Sequence, residues 1–371
     1  MGKLLRAAST AFGAAALLAA ALVPAEAATT AADPGQLPWS STTSVGVHNA
    51  YEQSAYPYFA DALDSGAGML EIDVWTNVFG RSWRVSHENP LGNANNCAGA
   101  ATAAELRTGS RNRDLGGCLA DMRAWHDANP GHRPVLIKME LKDGFQDNAG
   151  RGPDELDALL RSRLGDALFR PAELAGGHPD LDTAVRADGW PLRSAMSGKF
   201  VVELIPGTVE QGNPFDSLWT DREYAQHLRG LKAAGRLAEA GAFPAVLKAS
   251  AGDPRTRYAD LSIRPWFVVF DGDAATFTNG SIDTSWYDRN RYLVVMTDAH
   301  NVAPAIDGTR PTEAQARERV ALLAGRHASV VSADWHPLPA VLATVLPRAA
   351  PERAGQLRKQ PHKPWVKHDV K

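Results

Sequence analysis

The sequence predicts one α/β domain, a single distorted (β/α)8 TIM barrel, on three observations. Short apolar runs rich in Val, Ile, Leu and Phe recur along the chain, helix-like stretches separate several of them, and the first run ends in Val47-His48-Asn49-Ala50. Strands alternating with helices form a parallel sheet covered on both faces. A doubly wound sheet, the rival arrangement, would normally carry a glycine-rich phosphate loop after its first strand, and none stands there.

The chain opens with Lys3 and Arg6, continues through an apolar segment from about Ala11 to Val23, and reaches Ala25-Glu26-Ala27. That order describes a secretory signal peptide over residues 1–27, its apolar run being too short for a membrane anchor. A secreted, extracellular protein is therefore expected. The remaining length, about 340 residues, exceeds the roughly 250 of a plain barrel and leaves room for long loops. Candidate strands lie at 44–48, 69–75, 83–87, 134–141, 199–205, 244–248, 266–270, 292–297 and 328–333, with helical stretches at 154–164, 222–240 and 312–326. This is one strand more than a barrel needs, so either 244–248 or 266–270 is expected to lie outside it.

The barrel domain is expected over 28–347. A tail from 348 to 371 follows, in which Arg348, Arg353, Arg358, Lys359, Lys363, Lys367 and Lys371 face only Glu352 and Asp369. Such a basic, Pro-containing tail is expected to be disordered and solvated. The formal net charge of −3 argues against a nucleic-acid partner. Nothing in the sequence implies a protein partner, and a monomer is expected. The two cysteines, Cys97 and Cys118, both follow the export signal into a compartment where thiols oxidise. One disulfide should join them, clipping a loop of about 20 residues with an entropic effect of roughly 3 kcal/mol in the chain-entropy model.

Polar residues interrupt two strands in phase. In Met69-Leu70-Glu71-Ile72-Asp73-Val74-Trp75 the alternation puts Glu71 and Asp73 on one face, and in the strand from Val135 to Lys142 it turns Lys138, Glu140 and Lys142 inward. Barrel interiors are normally filled by branched apolar side chains, and buried unpaired charge costs several kcal/mol. Either the lysines neutralise the acids in a structural network, or Glu71, Asp73 and Glu140, with the amide oxygen of Asn49, hold a hard cation. Calcium takes 6 to 8 such oxygens, whereas zinc prefers His or Cys; residue types alone leave magnesium open. His48 and His87 follow candidate strands 44–48 and 83–87, at the end where barrel active sites lie. Imidazoles beside a metal suit phosphodiester cleavage. No Gly-x-Ser-x-Gly, Walker loop or His-Glu-x-x-His occurs, which leaves serine hydrolase, NTPase and zinc protease readings without support.

His48-Asn49, Glu71-x-Asp73, His87 and Glu140, in that order on successive strands, resemble the calcium-dependent phosphatidylinositol-specific phospholipases C, the secreted bacterial branch most of all. The likeness runs from about Ser44 to Trp335 and takes in Val201-Val202-Glu203-Leu204, Phe267-Val268-Val269-Phe270-Asp271-Gly272-Asp273 and Ser332-Ala333-Asp334-Trp335. The resemblance implies a distorted (β/α)8 barrel, Ca2+ held by Asn49, Glu71, Asp73 and Glu140, and catalysis by His48 and His87, with Glu71 or Glu140 as base. It implies cleavage of phosphatidylinositol, met transiently at a membrane surface, to diacylglycerol and a cyclic inositol phosphate. Lys142 and Lys248 are assigned to substrate binding from their inward phase. Two alternatives stay open. A glycerophosphodiester phosphodiesterase would also carry Glu-x-Asp and two histidines, but Asn49-Ala50 and Glu88 replace the residues that usually follow them in that family. A secreted barrel that binds inositol lipid without turnover is the other.

Overall fold

The computed structural model describes residues 33–76 and 82–349. The expected signal segment 1–27 and the tail beyond Ala349 lie outside the described residues. Ten strands are found among them: β1 Thr42–Val47, β2 Met69–Trp75, β3 Arg84–Val85, β4 Val135–Leu141, β5 Phe200–Pro206, β6 Ala242–Leu247, β7 Val269–Asp273, β8 Leu293–Thr297, β9 Val330–Ala333 and β10 Val345–Pro347. Parallel strands with helices outside and side chains inside have no solvent face, and β1, β2, β5 and β9 are buried along their whole length.

Eight of these strands close a parallel ring in the order β1, β2, β4, β5, β6, β7, β8, β9 and back to β1. The distortion sits at one seam. β2 and β4 run together from Met69↔Leu136 to Val74↔Leu141, but β1 meets β2 only at Gly46↔Met69 and Val47↔Leu70. Antiparallel β10 fills the lower edge of β1 at Thr42 to Ser44, and antiparallel β3 takes the upper edge of β2 at Val74 and Trp75. Gly46 makes the seam possible, because a Cβ there would lie 2.8 Å from Met69 Cε and 3.0 Å from Val330 Cγ1, inside the space these side chains fill.

The surplus strand is therefore the 83–87 candidate, not 244–248 or 266–270, which supply β6 and β7. The reason is local. Val85 N–H donates to Asn93 Oδ1 at 2.9 Å and Val85 C=O accepts from Asn95 Nδ2 at 2.9 Å, so asparagine side chains take the places of a second neighbouring strand.

Helices Leu115–Ala128, Pro153–Leu164, Thr220–Ala233 and Glu313–Ala324 are among those that separate the strands. The helix expected at 222–240 stops early, and Gly235, two residues beyond it, takes a left-handed φ of +70°. Cys97 and Cys118 are bonded, tying the loop after β3 to the first of these helices. No helix among the described residues is long and apolar enough to cross a membrane.

Arg348, counted with the solvated tail, is buried; its Nε donates to His327 O at 2.6 Å and its Nη1 to Ser40 O at 2.8 Å and Tyr292 O at 2.6 Å. Those carbonyls lie on the segments that flank β1, β8 and β9, so the guanidinium satisfies backbone groups that no strand reaches.

Candidate active site

The register fixes which side chains enter the barrel. Glu71 pairs with Lys138, and Lys138 with Glu203, so all three share the inner face with Asp271 of β7. Lys138 Nζ lies 3.0 Å from Asp271 Oδ2 and 3.5 Å from Glu71 Oε1. Burial opposes the ammonium charge, but Asp271, Glu71 and Glu203 outweigh it and hold the Lys138 pKa above its ordinary value. Burial also works against ionised Glu71, yet Lys138 and His48 hold its carboxyl below the usual range. Glu203 is pushed well above that range by burial and by the charge of Asp271. The middle of the barrel is thus an ion-pair layer, with Lys138 the neutralising group expected as one reading of this strand. Glu203 and Asp271 had no role in the sequence reading, although the same two-residue phase that turns Glu71 inward turns them inward too.

One rung higher the chemistry changes. Asp73 pairs with Glu140 in register, and one carboxylate oxygen from each of Glu71, Asp73 and Glu140 lies within 4.8 Å of the other two. Asp73 Oδ1 is buried with no hydrogen-bond partner among the described residues. Burial, then the charges of Glu140 and Glu71, push the Asp73 pKa up to about 7. An orphaned oxygen among crowded carboxylates fits a hard divalent cation, which would hold all three together. Asn49 borders this set. It takes a left-handed φ of +51°, which Asn tolerates better than most residues, and its backbone N–H donates to Glu71. Its Oδ1 accepts from the Tyr51 hydroxyl at 3.3 Å. Lys142 Nζ stands 3.1 Å from Asp73 Oδ2 and 3.1 Å from Glu140 Oε1, so its ammonium lies among the carboxylates rather than out in the mouth.

His48 follows β1 and faces the same site. Its Nε2 is 3.7 Å from Glu71 Oε2, and its Nδ1 is 2.9 Å from Asp334 Oδ1. Burial alone would lower its pKa; the hydrogen bond it donates to Asp334 and the charges of Glu71 and Asp334 reverse this and push it up to about 9. Both His48 and Asp334 keep over 40 % of their side-chain surface exposed, so a substrate can reach them. Asp334 was quoted in the sequence only as part of a strand end. The available signal was topological: β1 pairs with β9 at Val47↔Ala333, which sets the next residues, His48 and Asp334, side by side.

His87 follows β3 rather than a barrel strand. Ser86, just before it, donates its N–H to Asp73 O at 3.4 Å and accepts from the Trp75 indole at 2.7 Å, which anchors His87 above the seam beside the carboxylate strand. Its exposed imidazole has a carboxylate near it, Glu88 at 3.8 Å. Lys248 stands apart, beyond the end of β6, with a left-handed φ of +68°; it lines a cavity of about 280 Å³ with Pro206, Trp219, Arg222 and Tyr258.

The barrel and its mouth have counterparts in known proteins. Residues 102–217 match the family model described as phosphoinositide phospholipase C, Ca2+-dependent. Among solved structures, a Ca2+-dependent phosphatidylinositol-specific phospholipase C from Streptomyces antibioticus is 66% identical, covers 84% of this chain and 99% of its own, and superposes with a TM-score of 0.84. A calcium-dependent phosphoinositol-specific phospholipase C from a Gram-negative Pseudomonas sp. is similar in fold, at 20% identity, 85% and 96% coverage and a TM-score of 0.62. No curated protein sequence matches significantly. On the Streptomyces likeness, which spans nearly the whole of that enzyme, the chain belongs to the calcium-dependent phosphatidylinositol-specific phospholipases C.

Proposed function

We propose that this phospholipase C is exported and cleaves phosphatidylinositol at a membrane surface, releasing diacylglycerol and a cyclic inositol phosphate. The observation that carries the reading is the juxtaposition of His48, clamped by Asp334, with Glu71 of the Glu71, Asp73 and Glu140 set. Asn49 completes the proposed ligand set. Glu71, Asp73, Glu140 and Asn49 would hold a calcium ion, which would supply positive charge against the phosphoryl oxygens and lower the pKa of the ring hydroxyl. In the reaction the inositol 2-hydroxyl attacks phosphorus, the bond from phosphorus to the glycerol oxygen breaks, and that oxygen leaves with a proton. His48, kept protonated, donates a hydrogen bond to a phosphoryl oxygen as charge builds there. His87 supplies the proton to the leaving oxygen. The proton of the attacking hydroxyl passes to a carboxylate of the ligand set, and Glu140 is the most exposed of the three at 16 %.

Large apolar side chains stand out from the loops after β3 and β5: Leu91 is 70 % exposed and Phe215 94 %. They suit transient contact with lipid. Lys248, with Arg222 across the same cavity, offers positive charge to an anionic headgroup.

The test is product analysis by phosphorus NMR after incubation with phosphatidylinositol and calcium. A cyclic inositol phosphate appearing with diacylglycerol is the expected result. Phosphatidic acid or glycerophosphoinositol in their place would overturn the reaction as written.

A further inference from the structure

Lys138 and Lys142 project from one face of β4 on either side of Glu140, yet their surroundings differ. Lys138 is enclosed in the ion-pair layer with Asp271 and Glu71, its side chain 6 % exposed. Lys142, nearly as buried at 8 %, lies among the carboxylates instead, its Nζ 3.1 Å from Asp73 and 3.1 Å from Glu140, two of the three carboxylates of the calcium set. We infer that Lys142 is the built-in counter-cation of this site: its ammonium holds Asp73 and Glu140 together until calcium binds and must withdraw for calcium to bind, so that Lys142 sets the affinity for divalent cations. The inference rests on the reading of Glu71, Asp73 and Glu140 as calcium ligands.

Space and charge both require the exchange. Calcium takes carboxylate oxygens at about 2.3–2.6 Å. An ion that close to Asp73 and Glu140 would press against an ammonium held 3.1 Å from the same two residues, and two positive centres in contact repel. The backbone of Lys142 offers no relief. Its N–H donates to Val74 O at 2.8 Å, its C=O accepts from Glu210 N at 2.8 Å, and Gly207 packs so close that a Cβ there would lie 2.4 Å from Lys142 Cα. Movement is left to the side chain, a compact charge on a flexible four-carbon stem. Lys138 is less suited to this role, since its nearer partner Asp271, at 3.0 Å, lies outside the calcium set and it reaches only Glu71 of that set, at 3.5 Å. The lysine thus stabilises two of the three crowded carboxylates in the metal-free protein and in return weakens their hold on a metal.

The experiment uses calcium alone, without lipid, on the full protein. Calorimetric titration of Lys142→Met, which keeps the stem and removes the charge, is expected to show calcium bound about tenfold more tightly than in the wild type, since one neighbouring opposite charge commonly moves a carboxylate by about one pKa unit or more, a factor of ten each. In the presence of a chelator the variant should melt below the wild type. In the wild type itself, acylation of Lys142 by an amine-reactive reagent, read by peptide mass spectrometry, should rise when calcium is added. Equal or weaker calcium binding by the variant, or acylation of wild-type Lys142 that calcium leaves unchanged or lowers, would overturn the inference and leave the calcium site standing. Calcium binding absent from both proteins would overturn the calcium reading itself and the inference with it.

Discussion

His48 is held on both sides of its ring, by Asp334 at Nδ1 and by Glu71 across from Nε2, so its orientation depends on two carboxylates from opposite ends of the chain. Replacing His48 or His87 by Ala is expected to lower turnover of phosphatidylinositol at least ~10²-fold, the lower range for a general acid or base, with little change in melting temperature. Asp334→Asn should cost about tenfold in kcat and leave KM nearly unchanged, because it loosens the imidazole and removes no reacting group. Steady-state kinetics on lipid vesicles check all three. A two-residue period made Glu71, Asp73 and Glu140 legible from sequence, since alternation alone decides which side chains share a face. Asp334 was not legible in the same way. It meets His48 across 286 residues, and only closure of the ring brings the ends of the first and last parallel strands together.

At the scale of the element, the loop after β5 shows how a buried acid supports a helix. Glu210 Oε1 accepts from Thr220 N at 2.6 Å and from the Thr220 hydroxyl at 3.2 Å, at the first turn of the helix Thr220–Ala233. Its other oxygen, Oε2, is buried with no hydrogen-bond partner among the described residues. Burial raises the Glu210 pKa from 4.5 to about 8, the Thr220 hydrogen bonds opposing it. A folded-state pKa above the unfolded value favours the native state fully below pH 4.5 and loses that contribution as pH rises through about 8. Glu210→Gln keeps the acceptor and removes the titration. Its stability should lack the wild-type decline between those values and exceed the wild type at alkaline pH, as denaturant unfolding at a series of pH values would show. Strand and helix positions were largely legible, because each carries its own period. The surplus strand was misplaced because 83–87 has the composition of a strand, and nothing within the run says that Asn93 and Asn95, farther along, will take up its backbone groups.

Across the whole molecule, the exposed apolar loops and the barrel mouth have to serve one surface if the substrate is a lipid. Phe215, almost wholly exposed, makes no stabilising burial in the protein itself, so Phe215→Ser should leave the melting temperature unchanged. Burying a side chain of that size is worth about 1.5–3 kcal/mol, and its loss should weaken binding to phosphatidylinositol vesicles about tenfold or more in a sedimentation assay. The barrel was legible from the count and spacing of strands; its outer limit was not, since Arg348 looks like the start of a solvated basic run until its three backbone carbonyls are seen. The seam carries a consequence for how the chain comes to be folded. Among the described residues β1 has three strand neighbours, and two of them, β9 and β10, are the last strands described. The ring cannot close until β9, at Val330–Ala333, has been made. Its topology forces a late event of long sequence separation, the kind that slows folding, and under the proposal that the chain is exported that delay would keep the polypeptide threadable when it reaches a translocation channel.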